Sequence, residues 1–114
     1  MKPRTAVASL GALAHEHRLA VYRLLIKQGP AGLAAGVIGG KVGLTPSSLT
    51  FHLQALQRAG LVNQVRQGRQ LFYSADYTAM NDLVAYLTDE CCVEGGACAP
   101  DCAPARKARP SKAA

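Results

Sequence analysis

The stretch TPSSLTFHLQALQRAG, residues 45–60, constrains the fold of this chain more than any other. Thr45 can cap a helix with its hydroxyl, and Pro46 suits the first helical turn, where its missing N–H would have no partner. Gly60 can take the left-handed conformation that ends many helices. The leucines between these signals recur at i, i+4 and i+7, on one face: Leu49, Leu53 and Leu56. The stretch therefore predicts one short helix that packs on one side only.

The opposite face of this helix carries no acid. A second helix-like run precedes it at residues 33–42, and Gly43 and Leu44 join the two. Two helices that meet across a short glycine-containing turn are typical of the helix-turn-helix motif, whose second helix enters the DNA major groove. An ordinary helical hairpin in a small bundle is the alternative from this stretch alone. The residues expected to face DNA are Ser47, Ser48, Thr50, Phe51, Gln54 and Arg58.

Two short runs rich in β-branched and aromatic residues follow, at 61–67 and 70–75. Gly68 and Arg69 separate them, and a two-residue link that contains glycine predicts a β-hairpin. A helix-turn-helix followed by a hairpin with a basic tip is the winged-helix arrangement. Arg66 and Arg69 would then lie on the wing and contact phosphates or a narrow minor groove, unless they are ordinary solvated charges.

Apolar spacing predicts three further helices. The first is a weak helix at residues 5–14, the second is a strongly apolar helix at 15–28 that Gly29 and Pro30 end, and the last runs from an Asp76 cap to about residue 90. The predicted fold is therefore mainly α with a small β-hairpin. We expect residues 1–92 to form one domain and residues 93–114, rich in Gly, Ala, Pro and Lys, to form a flexible basic tail.

Charge is distributed unevenly along the chain. The formal net charge is +6, yet no acid occurs between Glu16 and Asp76. A continuous basic middle that contains the helix-turn-helix candidate suits a polyanion-binding surface, because neutralising phosphates supplies most non-specific affinity for DNA. The alternative is a basic protein without such a partner. The basic residues of this window are Arg18, Arg23, Lys27, Lys41, Arg58, Arg66 and Arg69.

The four cysteines cluster near the carboxyl terminus, at Cys91, Cys92, Cys98 and Cys102. None falls where a disulfide could hold the core together, so a disulfide-stabilised secreted domain is not expected. No run of about 18 or more apolar residues is present, and the amino terminus does not have the pattern of a signal peptide, so we expect a cytoplasmic protein. Clustered thiols in that compartment indicate soft-metal binding or redox chemistry.

Four segments together resemble the ArsR/SmtB family of metalloregulatory repressors. They are ALAHEHRLAVYRLL at 12–25, SSLTFHLQALQRAGLV at 47–62, QVRQGRQLFYSA at 64–75 and LVAYLTDECC at 83–92. The resemblance implies a homodimer that forms through the first and last helices. It also implies repression in the metal-free state and release from DNA when metal binds. A two-fold dimer would place its recognition helices about one DNA turn apart, so the operator should be an imperfect palindrome.

Two departures move the expected sensing site to the tail. Residues 33–42 lack the paired cysteines that some relatives use to sense arsenic, and residues 76–90 lack the histidines that zinc sensors carry. The chain instead resembles an arsenic-responsive subgroup with a cysteine pair and a third cysteine six residues later, which implies Cys91, Cys92 and Cys98 as ligands of As(III) or Sb(III). Cys102 is then spare, whereas zinc or cadmium would use it as a fourth ligand.

The expected function is an arsenite-responsive transcriptional repressor of double-stranded operator DNA and not an enzyme. Phe51 stands where many relatives carry a polar residue that reads a base. It could contact a thymine methyl group or be buried by a neighbouring loop. The alternatives are a zinc- or cadmium-responsive repressor with a four-cysteine site and a small thiol redox enzyme. No Cys-x-x-Cys motif or phosphate-binding loop supports the enzyme.

Overall fold

The computed structural model describes residues 1–95 and has five helices and three strands in that part of the chain. The elements predicted from the sequence are all present, and their order agrees with the predicted winged helix-turn-helix. Their bounds are α1 Pro3–Leu13, α2 Glu16–Gln28, β1 Leu33–Ala34, α3 Ala35–Val42, α4 Pro46–Arg58, β2 Val62–Gln67, β3 Gln70–Ala75 and α5 Tyr77–Leu87.

Helix α4 begins and ends as its sequence predicts. The Thr45 hydroxyl accepts a hydrogen bond from the Ser48 amide at 3.4 Å, and Pro46 occupies the first turn. Gly60 has a φ of 80°, and the Leu61 amide then donates to the Leu56 carbonyl at 3.0 Å. Because these bonds satisfy backbone groups that would otherwise lack partners, the helix has sharply defined ends.

The predicted third helix starts two residues late, because Leu33 and Ala34 form a short strand. This strand, β1, pairs antiparallel with β3, so that Leu33 faces Tyr73 and the sheet order is β1-β3-β2. Gly32 makes this pairing possible: its φ is 75°, and a Cβ there would overlap the Tyr73 carbonyl. The hairpin is thus one part of a three-stranded sheet, which ties the wing to the helix-turn-helix.

The core lies between α2, α4 and the sheet. Its most buried side chains come from different elements, and α2 packs against α1, α3, α4 and β3. The leucine stripe of α4 is buried, as predicted. The buried residues of helix α1 are small, and its larger apolar residues Val7 and Leu10 are exposed to solvent. The fully or almost fully buried side chains include Val21, Leu25, Ile38, Leu53, Leu56 and Leu61.

The last helix ends earlier than predicted, at Leu87 and not near residue 90. The Thr88 hydroxyl donates to the Val84 carbonyl at 3.0 Å, and Glu90 takes a left-handed φ of 57°, so the chain leaves the helix in a series of turns. Acidic residues at the negative end of a helix also disfavour its extension. The predicted flexible tail lies almost wholly outside the described residues.

None of the helices in residues 1–95 has the length and apolar character needed to cross a bilayer.

Candidate nucleic-acid interface

The outer face of α4 is the first part of the candidate interface. All six residues expected to face DNA are exposed, whereas Leu49, Leu53 and Leu56 are buried. Phe51 is 56% exposed, so the alternative that a neighbouring loop buries it is wrong. The exposed set combines hydroxyls, an amide, a guanidinium and an aromatic ring, which suits both phosphates and base edges. These residues are Ser47, Ser48, Thr50, Phe51, Gln54 and Arg58.

The turn before α4 gives the two helices of the motif their relative orientation. Gly43 ends α3 with a φ of 72°, and the Gly43 and Leu44 amides both donate to the Gly39 carbonyl, at 2.8 and 3.1 Å. A Cβ on Gly39 would lie 3.2 Å from the Leu44 carbonyl oxygen. Glycine at this position therefore lets α3 approach the start of α4 closely.

The wing is the second part of the candidate interface. Strands β2 and β3 pair from Val62 with Ala75 to Gln67 with Gln70, and Gly68 turns between them with a φ of 65°. Arg66 and Arg69 are both exposed. Inside the hairpin, Nε2 of the Gln64 side chain donates to the Tyr73 hydroxyl at 2.7 Å. The hairpin thus presents two cations to solvent on a hydrogen-bonded support.

Sequence reasoning missed Arg18, which lies in the first turn of α2. Its Nε–H donates to Nδ1 of His52 at 3.2 Å, and its Cζ lies 5.5 Å from the ring centroid of Phe51. The only sequence signal was that Arg18 belongs to the basic window. Its partners are more than 30 positions away, so packing and not spacing brings them together.

His52 is buried on α4, with 7% of its surface exposed, beside two other histidines. Its ring centroid lies 4.6 Å from that of His15 and 5.7 Å from that of His17. Burial lowers the pKa of His52, and the positive charges of His15, Arg18 and His17 lower it further. His52 is therefore a packed, neutral hydrogen-bond acceptor at neutral pH.

The proposed metal ligands divide between described and undescribed parts of the chain. The Sγ atoms of Cys91 and Cys92 lie 3.5 Å apart in the turns after α5, and Cys92 has a left-handed φ of 62°. Two sulfurs bound at about 2.3 Å to one tetrahedral ion are roughly 3.8 Å apart, so this spacing suits a shared centre. Cys98 and Cys102 lie outside the described residues.

Residues 1–95 contain no group of three or more histidine, cysteine or carboxylate side chains that could hold a metal ion. The three neighbouring histidines do not form such a group. His15 uses Nδ1 to accept the His17 amide at 3.2 Å, and His52 uses Nδ1 to accept Arg18. His15, before α2, and His17, in its first turn, are both exposed.

Comparison with known proteins identifies the class. Residues 13–65 match the model of a helix-turn-helix domain. The chain is 32% identical to the nodulation protein NolR of Rhizobium meliloti over 84 residues, which cover 74% of this chain and 66% of NolR. It is 31% identical to the HTH-type transcriptional regulator YgaV of Escherichia coli over 87 residues, which cover 76% of this chain and 86% of YgaV. The chain belongs to the helix-turn-helix transcriptional regulators and binds DNA.

Similarity to solved structures shows which family of helix-turn-helix regulators the chain belongs to. The chain resembles the homodimeric winged helix-turn-helix DNA-binding domain of a possible ArsR-family transcriptional regulator from Mycobacterium bovis, with a TM-score of 0.61 and 30% identity. That similarity covers 76% of this chain and 81% of the other. Within the helix-turn-helix regulators, the protein is therefore a member of the ArsR family of winged-helix regulators.

Proposed function

We propose that this regulator is a homodimeric, arsenite-responsive repressor. In the free state it binds a palindromic operator through α4 and the wing. It leaves that DNA when As(III) or Sb(III) binds Cys91, Cys92 and Cys98. The observation that supports a shared thiol site is the 3.5 Å separation of the Cys91 and Cys92 sulfurs in the turns after α5; the choice of As(III) or Sb(III) as inducer rests on the resemblance and on thiol chemistry.

The chemistry of the thiols favours a trivalent arsenic centre. Arsenous acid carries three hydroxyl groups, and each can be exchanged for a thiolate while the thiol proton leaves with the hydroxyl as water. Three cysteines thus replace three hydroxyls and release three waters, with no oxidation or reduction. Sulfur ligands also select soft centres over hard ones. Cys102 has no role in a three-sulfur centre, so it is the natural control position.

The dimer is proposed from the apolar residues that the two terminal helices expose. Val7 and Leu10 on α1 and Val84 and Leu87 on α5 are all exposed, and α1 packs against α5. Exposed apolar side chains on adjacent helices suit an interface between protein chains. The similar domain from Mycobacterium bovis is homodimeric, which supports a dimer as the proposed state. Two copies would then present two copies of α4 to one operator.

Release requires that the inducer bind the DNA-free form more tightly than the DNA-bound form. Coupling of this kind is typically about 1–3 kcal/mol, or about 5- to 150-fold in affinity. Gathering a third thiolate to the turns after Leu87 would pull on the end of α5, where the exposed Val84 and Leu87 of the proposed interface lie. A shift there changes the spacing of the two copies of α4.

The test is operator binding with and without inducer. A duplex selected by the protein from a random library is labelled, and fluorescence anisotropy is measured at fixed salt in reducing buffer. Addition of arsenite should weaken binding by at least about fivefold. Cys91→Ser, Cys92→Ser and Cys98→Ser should bind the duplex normally and fail to release it.

Cys102→Ser is the matched control and should respond like the parent. A normal response of Cys98→Ser would show that the ligand assignment is wrong. If zinc or cadmium released the DNA and Cys102→Ser abolished that response, a four-cysteine divalent site would replace the proposal. Release by a hydroperoxide alone, without arsenite, would identify a redox switch.

A further inference from the structure

One side chain of α2 contacts two consecutive residues of the recognition helix. Arg18 donates from Nε to the inward-facing His52, and its guanidinium lies over the ring of the outward-facing Phe51, 5.5 Å from the centroid. Consecutive residues of a helix point about 100° apart, so a planar guanidinium that touches both links the inner and outer faces of α4.

These contacts restrict the Phe51 ring. The ring is 56% exposed, so its own helix leaves it free to change rotamer. Arg18 covers it from α2, and the His52 ring meets it edge-on, with centroids 5.4 Å apart and an interplanar angle of 67°. Cation–π and edge-to-face contacts both favour one ring orientation. The ring therefore stays exposed and ordered.

An ordered aromatic ring on the outer face of α4 has one clear partner in the major groove, which is the C5-methyl group of thymine. We propose that Arg18 is a positioning residue for base recognition: it holds the Phe51 ring against a thymine methyl, and it does so only while His52 is neutral. The inference rests on the proposed function, because it requires that α4 enter the major groove of a specific operator.

The dependence on neutral His52 follows from the hydrogen bond. Nδ1 of His52 accepts from Arg18, so the ring proton must be on Nε2. If His52 gains a second proton, Nδ1 becomes a donor and the imidazolium repels the guanidinium. The titratable and charged groups that act on His52 are His15 before α2 and His17 and Arg18 on it, and no carboxylate among the described residues offsets them. Acid therefore releases Arg18 and, with it, the ring.

The test uses the selected operator with single thymines replaced by deoxyuracil, which removes only the methyl group. At pH 7.5 the parent protein should lose about fourfold in affinity at one position per half-site, the value expected for one buried methyl. We call the affinity for the thymine duplex divided by the affinity for the uracil duplex the thymine-to-uracil ratio. Phe51→Ala, Arg18→Ala and Arg18→Lys should each bring this ratio to about one. The lysine variant keeps the charge and loses the planar fork, so it separates positioning from simple attraction to phosphate.

Arg23→Ala is the matched control, because Arg23 is an exposed arginine of the same helix. It should weaken binding to both duplexes equally or not at all and keep the fourfold ratio. Circular dichroism shows whether each variant is folded. If Arg18→Ala does not fold, the lysine variant and the pH measurement decide the question.

The pH measurement separates positioning from folding. For the parent, the ratio of affinities for the thymine and uracil duplexes should fall towards one only in acid below the ordinary histidine range, because burial and nearby positive charge lower the pKa of His52. The general gain in affinity from added positive charge cancels in the ratio. His52→Asn keeps an acceptor near the Nδ1 position and cannot titrate, so its ratio should stay constant.

A ratio that survives Arg18→Ala, or that is constant with pH in the parent, would overturn the inference while leaving the proposed function intact. If no thymine substitution matters in an operator that is bound specifically, the inference is also wrong. If the parent selects no sequence at pH 7.5, the proposed function fails, and the inference fails with it.

Discussion

Gly32→Ala, at the residue directly before β1, should destabilise the fold. Alanine at a φ of 75° costs about 1–2 kcal/mol, because the left-handed region crowds its Cβ. That Cβ would also overlap the Tyr73 carbonyl, and forcing β1 away from β3 adds about 1–3 kcal/mol. A small gain of about 0.4–1 kcal/mol from the stiffer unfolded chain offsets part of this. The net loss should be about 1–4.5 kcal/mol, with a fall in Tm of roughly 4 °C per kcal/mol.

The assay is urea unfolding followed by circular dichroism, with Gly40→Ala as the matched control. Gly40 lies in the exposed middle of α3 and has no left-handed φ, and a Cβ added to it would meet no atom within 4 Å. Alanine there should stabilise the protein by about 0.5–1 kcal/mol. If Gly32→Ala unfolded within about 0.5 kcal/mol of the parent, the close approach of β1 to Tyr73 would not exist in solution.

Three further predictions follow from single side chains. Tyr22 is 5% exposed, and its hydroxyl has no hydrogen-bond partner among the described residues. Tyr22→Phe should therefore leave the free energy of unfolding, measured by urea unfolding, unchanged or raise it by up to about 1 kcal/mol. A fall of more than about 1 kcal/mol would show that the hydroxyl has a hydrogen-bond partner in solution. Arg66→Ala and Arg69→Ala should each lower the slope of log K against log salt by about 0.9 in anisotropy titrations and weaken all sequences equally, and an unchanged slope would show that the wing does not contact phosphate. The pKa of His52 is lowered by burial and by nearby positive charge, so His52 is protonated at a higher pH in the unfolded chain than in the folded protein. The free energy of unfolding should therefore fall as the pH drops below about 6.5. Urea unfolding should show a smaller fall for His52→Asn over the same pH range.

The sequence predicted α4 well because all its determinants are local. A capping threonine, a proline in the first turn, leucines at helical spacing and a glycine at the end lie within one short stretch. The same spacing predicted which residues of α4 are exposed, since a residue opposite the leucine stripe cannot reach the core. Local signals therefore gave both the helix and the outer face of the candidate interface.

The features that sequence reasoning missed depend on distant partners. Leu33 and Ala34 are extended because β3 pairs with them, and nothing in a two-residue segment of this composition favours a strand. Helix α5 ends at Leu87, and both the amide and the hydroxyl of Thr88 donate to the Val84 carbonyl beyond it; apolar spacing did not predict this earlier end. Arg18 reaches His52 only after α2 packs against α4.

Helix α2 connects the two ends of the proposed switch. Near its carboxyl end, the Leu25 and Ile26 carbonyls accept the Tyr77 hydroxyl of α5 at 3.2 and 2.8 Å. In its first turn, Arg18 contacts the recognition helix. A hydrogen bond of this kind contributes about 1 kcal/mol net, which is the scale of the coupling that a repressor needs. In the proposed repressor, a displacement of α5 that broke the Tyr77 contacts would therefore change the free energy by an amount of the same order as that coupling.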